Sequence, residues 1–191
     1  MENAVTYIKQ KSNIKPKIGI VLGSGLDMFC NKLDSKINIS YNDIPNFRKT
    51  SIKGHKGEFV LGKLHNQSII CANGRFHFYE GYEYDDVAII IDMFKKVGCT
   101  HIIMTNSSGC VDKSWDIGDL MLITGHIDYS FRKSSDDPKI IQDSRYDTKL
   151  LNQIEQIAIQ KKITLRKGNY VWTTGPTYET PAEIQDIEKL G

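Results

Sequence analysis

The sequence predicts an α/β fold, a mixed central β-sheet flanked by helices, and three observations predict it. Short apolar runs rich in β-branched residues alternate with amphipathic stretches along the 191 residues, the pattern of helices packed on a sheet. Two runs, Glu58–Leu64 and Ser68–Asn73, are joined so closely at His65-Asn66 that they form an antiparallel hairpin, which makes the sheet mixed. A composition of 40% hydrophobic and 25% charged residues is that of an ordinary globular chain, and the length suits one domain spanning 1–191.

The elements follow in order. Helical patterning at the N-terminus precedes a strand at Lys17–Leu22, and Gly23-Ser24-Gly25 directly after it is a turn that can open a helix. The hairpin strands come next, then a helix over Asp85–Lys96 and strands at His101–Asn106 and Asp119–Thr124. Arg132–Arg145, rich in Ser, Asp, Lys and Pro, reads as a long polar loop. Over Thr148–Lys161, Leu150, Leu151, Ile154, Ile157 and Ala158 fall on one helical stripe. A strand at Asn169–Thr174 precedes the last helix, which starts at Pro181 because Thr180-Pro181-Ala182-Glu183 joins a capping box to proline at the first helical position.

A net charge of +2, with no basic stripe and no charged block, argues against a nucleic-acid partner and points to a small one. Cys30, Cys71, Cys99 and Cys110 are widely spaced and carry no C-x-x-C pair, so neither structural zinc nor a disulfide framework is expected. The N-terminus lacks a signal-peptide run and no segment reaches membrane-spanning length, which makes the cytoplasm the expected compartment and a membrane an unexpected partner.

The chemistry concentrates between two glycines, in Gly74-Arg75-Phe76-His77-Phe78-Tyr79-Glu80-Gly81. If the extended run continues through Arg75 and His77, both point to one face, and a guanidinium fork beside an imidazole suits an oxyanion such as phosphate. Taken alone, the segment reads more readily as a polar loop after a strand. Gly23-Ser24-Gly25 allows close backbone approach to an anion, yet Met28 stands where the dinucleotide fingerprint needs glycine and the P-loop lysine is missing. It also reads as a tight turn. His55, bracketed by glycines, is a surface histidine or a catalyst, and Asn106-Ser107-Ser108-Gly109 is a turn or a set of backbone donors. His126 and Asp128 share a face, with a structural hydrogen-bonding role at least as well supported. Glu179, just before the capped helix, either stabilises the helix start or, beside Tyr178, accepts N–H bonds from a flat heterocycle stacked on the ring. Each cluster falls at a strand end, where ligand sites of α/β sheets form.

As a set, VLGSGL at 21–26, GHKG at 54–57, GRFHFYEGY at 74–82, TNSSG at 105–109, GDLMLITGHID at 118–128 and GPTYETPAE at 175–183 resemble the trimeric, low-molecular-mass purine nucleoside phosphorylase family, in order and over essentially the whole chain. The resemblance implies reversible phosphorolysis, in which phosphate attacks C1′ of a purine nucleoside to give free base and ribose 1-phosphate. It implies that Ser24, Arg75 and His77 hold phosphate with the backbone at Ser107, and that His55 closes over phosphate and sugar. His55 and His77 would be the catalytic histidines. Tyr79 would touch the ribose, and Tyr178 and Glu179 would frame and bind the purine. No metal or organic cofactor is implied, phosphate being a co-substrate, and the assembly implied is a homotrimer.

Three departures qualify the match. Arg132–Arg145 fits poorly the family loop that sends an aromatic residue into a neighbouring subunit's site, and Ser107 and Ser108 replace the usual alanine pair. Family members also continue past the last helix into further phosphate-, purine- and ribose-binding residues, so the resemblance implies a fold incomplete at its C-terminus. The competing expectations are therefore a non-catalytic phosphate- or purine-binding remnant and, less favoured because of Arg75 and His77, a nucleoside hydrolase. A nucleotide-dependent dehydrogenase is more distant, since the Gly23 loop lacks the third glycine.

Overall fold

The computed structural model describes residues 1–49, 56–131, 139–141 and 145–190. The α/β class and the mixed sheet are as expected. The chain forms two compact units, Met1–Ser108 and Gly109–Gly191.

In the first unit, α1 (Glu2–Lys11) leads to β1 (Ile18–Val21), β2 (Asp34–Ser40), β3 (Glu58–Leu64), β4 (Gln67–Asn73), α2 (Tyr84–Val97) and β5 (His101–Met104). Its sheet has the order β2-β3-β4-β1-β5. Strands β2, β3 and β4 run antiparallel, while β4, β1 and β5 run parallel. The hairpin turn is set by His65 and Asn66, at φ 47° and 64°, the left-handed pair that a two-residue connection between twisted strands requires.

Alternation along the strands builds a core on each face of this sheet. Val21, Phe59, Leu61, Ile70 and Ala72 face the side covered by Ala4 and Ile8 of α1 and by Ile90, Met93, Phe94 and Val97 of α2. Ile20, Leu22, Val60, Ile69 and Cys71 face the other side, against Cys30 and Leu33. Gly19 permits the first packing, because a Cβ there would lie 2.3 Å from the Phe94 ring. The α2 helix begins in a capping box between Glu83 and Asp86 and ends at Gly98, whose φ of 108° suits glycine.

The second unit holds β6 (Leu120–Asp128), β7 (Lys139–Ile141), α3 (Thr148–Lys161), β8 (Leu165–Trp172) and α4 (Pro181–Lys189). Its sheet is β7-β6-β8, with β6 and β8 parallel. Helices α3 and α4 start where the sequence places them. Asp147 caps α3 by accepting from the Leu150 N–H at 3.0 Å, and Thr180 caps α4.

Several expectations need correction. The Gly23 loop opens a 3-10 segment, Asp27–Lys32, rather than an α-helix. Strand β2 was not expected, because Asp34–Ser40 offers only Ile37 and Ile39 as apolar residues and a register irregularity breaks the pairing before Ile37. Within the expected polar loop Arg132–Arg145, residues Lys139–Ile141 form β7 by pairing with β6. Strand β6 runs past Thr124 through a bulge between Ile123 and Gly125, β8 begins four residues before Asn169, and β5 ends at Met104.

Candidate active site

Three loops leave the sheet of the first unit at one edge. Strands β4, β1 and β5 are adjacent and parallel, with Ala72, Val21 and Met104 in register, so the segments that follow begin at the same level, at the carboxyl ends of the strands. The ladder continues one step further through Leu22 N–H to Ala72 O (3.0 Å) and Thr105 N–H to Val21 O (3.1 Å).

After β4, Gly74 adopts φ 125° and its carbonyl accepts the hydroxyl of Tyr41 at 2.9 Å. Burial raises the Tyr41 phenol well above its ordinary value, so it stays a donor. Phe76 is buried among Tyr41, Phe47 and Tyr82. With Phe76 turned into the core, Arg75 and His77 take the opposite side, and they meet there: Arg75 Nε–H donates to His77 Nε2 at 3.2 Å. An accepting Nε2 places the imidazole proton on Nδ1, which faces Glu80 Oε1 at 3.4 Å. The same oxygen accepts the His77 backbone N–H at 2.9 Å, and the Glu80 side chain is only 4% exposed. Tyr79 stacks on His77, with ring centroids 4.8 Å apart and planes at 18°, and is 45% exposed.

The loop after β1 bends at Gly23, where Leu26 N–H returns to the Gly23 carbonyl at 3.2 Å. Gly25 has φ 82° and Ser24 is exposed. After β5, Thr105 binds both neighbouring segments. Its hydroxyl accepts the Gly23 N–H at 2.9 Å and donates to Val21 O at 2.9 Å, and its carbonyl accepts from Arg75 Nη1 at 3.2 Å. A Cβ on Gly23 would meet Thr105 O and Asn106 Cα at 2.8 Å, so glycine is required for this approach. Asn106 Nδ2 donates to Ser107 O at 3.1 Å, and Ser107 is exposed.

Ser24, Arg75, His77, Tyr79 and Ser107 thus lie on loops at one sheet edge, tied together by Thr105, with Arg75, His77 and Tyr79 in direct succession. His55 lies outside the described residues. Tyr178 and Glu179 belong to the second unit, in the loop before α4. Tyr178 is 96% exposed and Glu179 half-buried. The adjoining helix start is fixed by Thr180, whose N–H donates to Glu183 Oε2 at 2.7 Å. The backbone and hydroxyl of Thr180 hold the Glu183 carboxyl below its ordinary value.

Two residues escaped the reading of the sequence. Glu80 stands inside the motif, but only its turn back onto His77 shows what it does, and Thr105 reads as part of the expected strand His101–Asn106. His126 and Asp128 have structural partners. His126 Nε2 bonds the Tyr146 hydroxyl, and burial, with Arg145 nearby, lowers its pKa. Asp128 accepts the Ser130 N–H at 3.0 Å.

The arrangement can bind an oxyanion through a guanidinium, an imidazole and loop donors. Known proteins carry the same framework. The family model described as the phosphorylase superfamily matches residues 17–191. Purine nucleoside phosphorylase 1 of Bacillus subtilis is 38% identical over 100% of this chain and 73% of its own length. The chain belongs to the purine nucleoside phosphorylase family. The rat purine nucleoside phosphorylase is 30% identical, again over the whole chain and 74% of the relative.

Among solved structures, isoform 2 of the Schistosoma mansoni purine nucleoside phosphorylase, in complex with cytosine and ribose-1-phosphate, matches with a TM-score of 0.87 and 34% identity over 100% of this chain and 72% of that one. A schistosoma purine nucleoside phosphorylase with hypoxanthine matches with a TM-score of 0.88 at 31% identity, covering 71% of that chain. The chain thus spans nearly three quarters of these phosphorylases.

Proposed function

We propose that this chain catalyses the reversible phosphorolysis of purine nucleosides, phosphate attacking C1′ to release the free base and form ribose 1-phosphate. The observation that carries this reading is the pairing of Arg75 with His77 at the carboxyl end of β4, in a chain of the purine nucleoside phosphorylase family.

Arg75, His77, Ser24 and the backbone at Ser107 hold phosphate, and Glu80 orients the His77 ring. Tyr79, stacked on His77, meets the ribose, and His55 closes over phosphate and sugar. Tyr178 and Glu179 take the purine, the carboxylate accepting N–H bonds and the phenol stacking. The C–N bond to the base breaks as the sugar carbon becomes oxocarbenium-like, and the phosphate oxygen then forms the new C–O bond. Catalysis therefore rests on positioning an anion under C1′ and on its charge. Phosphate is a co-substrate, and no metal or organic cofactor takes part. The working assembly is a homotrimer in the cytoplasm, in keeping with the family.

Inosine cleavage assayed with and without phosphate tests the reading. Cleavage that needs phosphate and yields ribose 1-phosphate supports it. Equal rates in both buffers identify a hydrolase, and saturable binding of phosphate and hypoxanthine without turnover identifies a binding protein.

A further inference from the structure

We propose that Thr105 is a positioning residue for the phosphate site, holding the Ser24 loop and the Arg75 guanidinium in one fixed relation. The inference rests on the phosphorolytic reading above and assigns a role to a side chain that need not touch substrate.

Thr105 is the first residue after β5, and of its four polar contacts one reaches each of the two other loops of the sheet edge and two reach Val21 O at the end of β1. Its hydroxyl is used twice, accepting from Gly23 N–H and donating to Val21 O, both at 2.9 Å. Such a hydroxyl has one proton and two lone pairs, so this double use fixes its rotor. The carbonyl of the same residue accepts Arg75 Nη1 at 3.2 Å. Thr105 N–H donates to the same Val21 O at 3.1 Å, so one carbonyl at the end of β1 takes both the backbone and the side-chain proton of the residue.

The consequence is geometric. Gly23 immediately precedes Ser24, and Arg75 is the cationic arm on the loop after β4, the strand beside β1. A hydroxyl bond on one side and a carbonyl bond on the other make Thr105 the shared reference for both. The close approach of Gly23 to Thr105 O, where a Cβ would sit 2.8 Å away, makes the contact intolerant of drift. Loss of the hydroxyl leaves the Gly23 N–H without its partner and frees the Ser24 loop, while the Arg75 contact to the carbonyl persists. An anion gripped from both loops then loses one arm, and the purine side is untouched.

The test compares Thr105→Val, which keeps the shape and removes the hydroxyl, with Thr105→Ser, which keeps the hydroxyl and removes the methyl. Binding of inorganic phosphate and of hypoxanthine is measured by calorimetry, and kcat and both KM values by inosine phosphorolysis. Thr105→Val is expected to weaken phosphate binding and raise the phosphate KM by about tenfold, with hypoxanthine binding unchanged. Thr105→Ser is expected to stay within about threefold of the parent for phosphate.

Four results overturn the inference: wild-type phosphate affinity in Thr105→Val, equal losses for phosphate and hypoxanthine, equal losses in the two variants, or a Thr105→Val chain that does not fold, which would make the hydroxyl a requirement of the fold alone. The parent protein separates this inference from the reading beneath it. A parent that neither binds nor uses phosphate defeats both, whereas a phosphate-dependent parent matched by Thr105→Val defeats only the role of Thr105.

Discussion

The Nε–H of Arg75 donates to Nε2 of His77 across 3.2 Å, and the relationship exists because Phe76 between them is buried. A two-residue spacing places two side chains on one face only while the backbone stays extended, and here the aromatic core holds that face after β4 has ended. The site's charge is thus fixed by its packing.

Removing the guanidinium should separate the two halves of the substrate. Arg75→Ala is expected to weaken phosphate binding by about 10- to 100-fold, the range of hydrogen bonds to charged groups, with little effect on hypoxanthine. Glu179→Gln should do the reverse. Calorimetric titration of each variant with both ligands checks this, and equal effects of both changes on both ligands would refute the division of labour.

Glu80 should act through His77. Its carboxylate accepts the His77 N–H at 2.9 Å and faces Nδ1 at 3.4 Å, so Glu80→Gln is expected to raise the phosphate KM by about tenfold and leave the purine KM in place. Steady-state kinetics varying each substrate in turn measures this.

Gly74 should not accept a side chain. At φ 125° an L-residue is strained, and Gly74→Ala is expected to cost roughly 1–2 kcal/mol, a fall in Tm of about 2–8 °C for a chain of this size. Thermal unfolding followed by circular dichroism gives the value.

The sequence carried much of this because the decisive elements are locally encoded. The hairpin at His65-Asn66, the stripe Leu150, Leu151, Ile154, Ile157 and Ala158, and the cap at Thr180 each depend on residues a few positions apart, and each stands where it was expected. Strand β2 and the three-residue β7 exist only through pairing with β3 and β6, and no local pattern announces a strand made by its neighbour. The site divides in the same way. Arg75 and His77 are legible because Phe76 sits between them, whereas Thr105 matters through contacts with Gly23, Val21 and Arg75, two of them more than eighty residues away.

The start of α4 should carry an acid-side dependence. Glu183 has a folded pKa below its ordinary value, chiefly through the Thr180 N–H, so its contribution is present above the unfolded carboxyl pKa and is lost as pH falls through the folded one. Glu183→Gln removes the titrating carboxylate and should flatten this dependence. Tm measured from pH 7 down to about pH 3 for both chains shows whether the gap between them narrows with acid.

The most direct test of the central claim is inosine cleavage by this chain at fixed nucleoside concentration, with phosphate present and absent. Phosphorolysis predicts a rate that saturates with phosphate, ribose 1-phosphate as the product, and saturation shifted to about 10- to 100-fold higher phosphate in Arg75→Ala. Release of free ribose at the same rate in both buffers would contradict it.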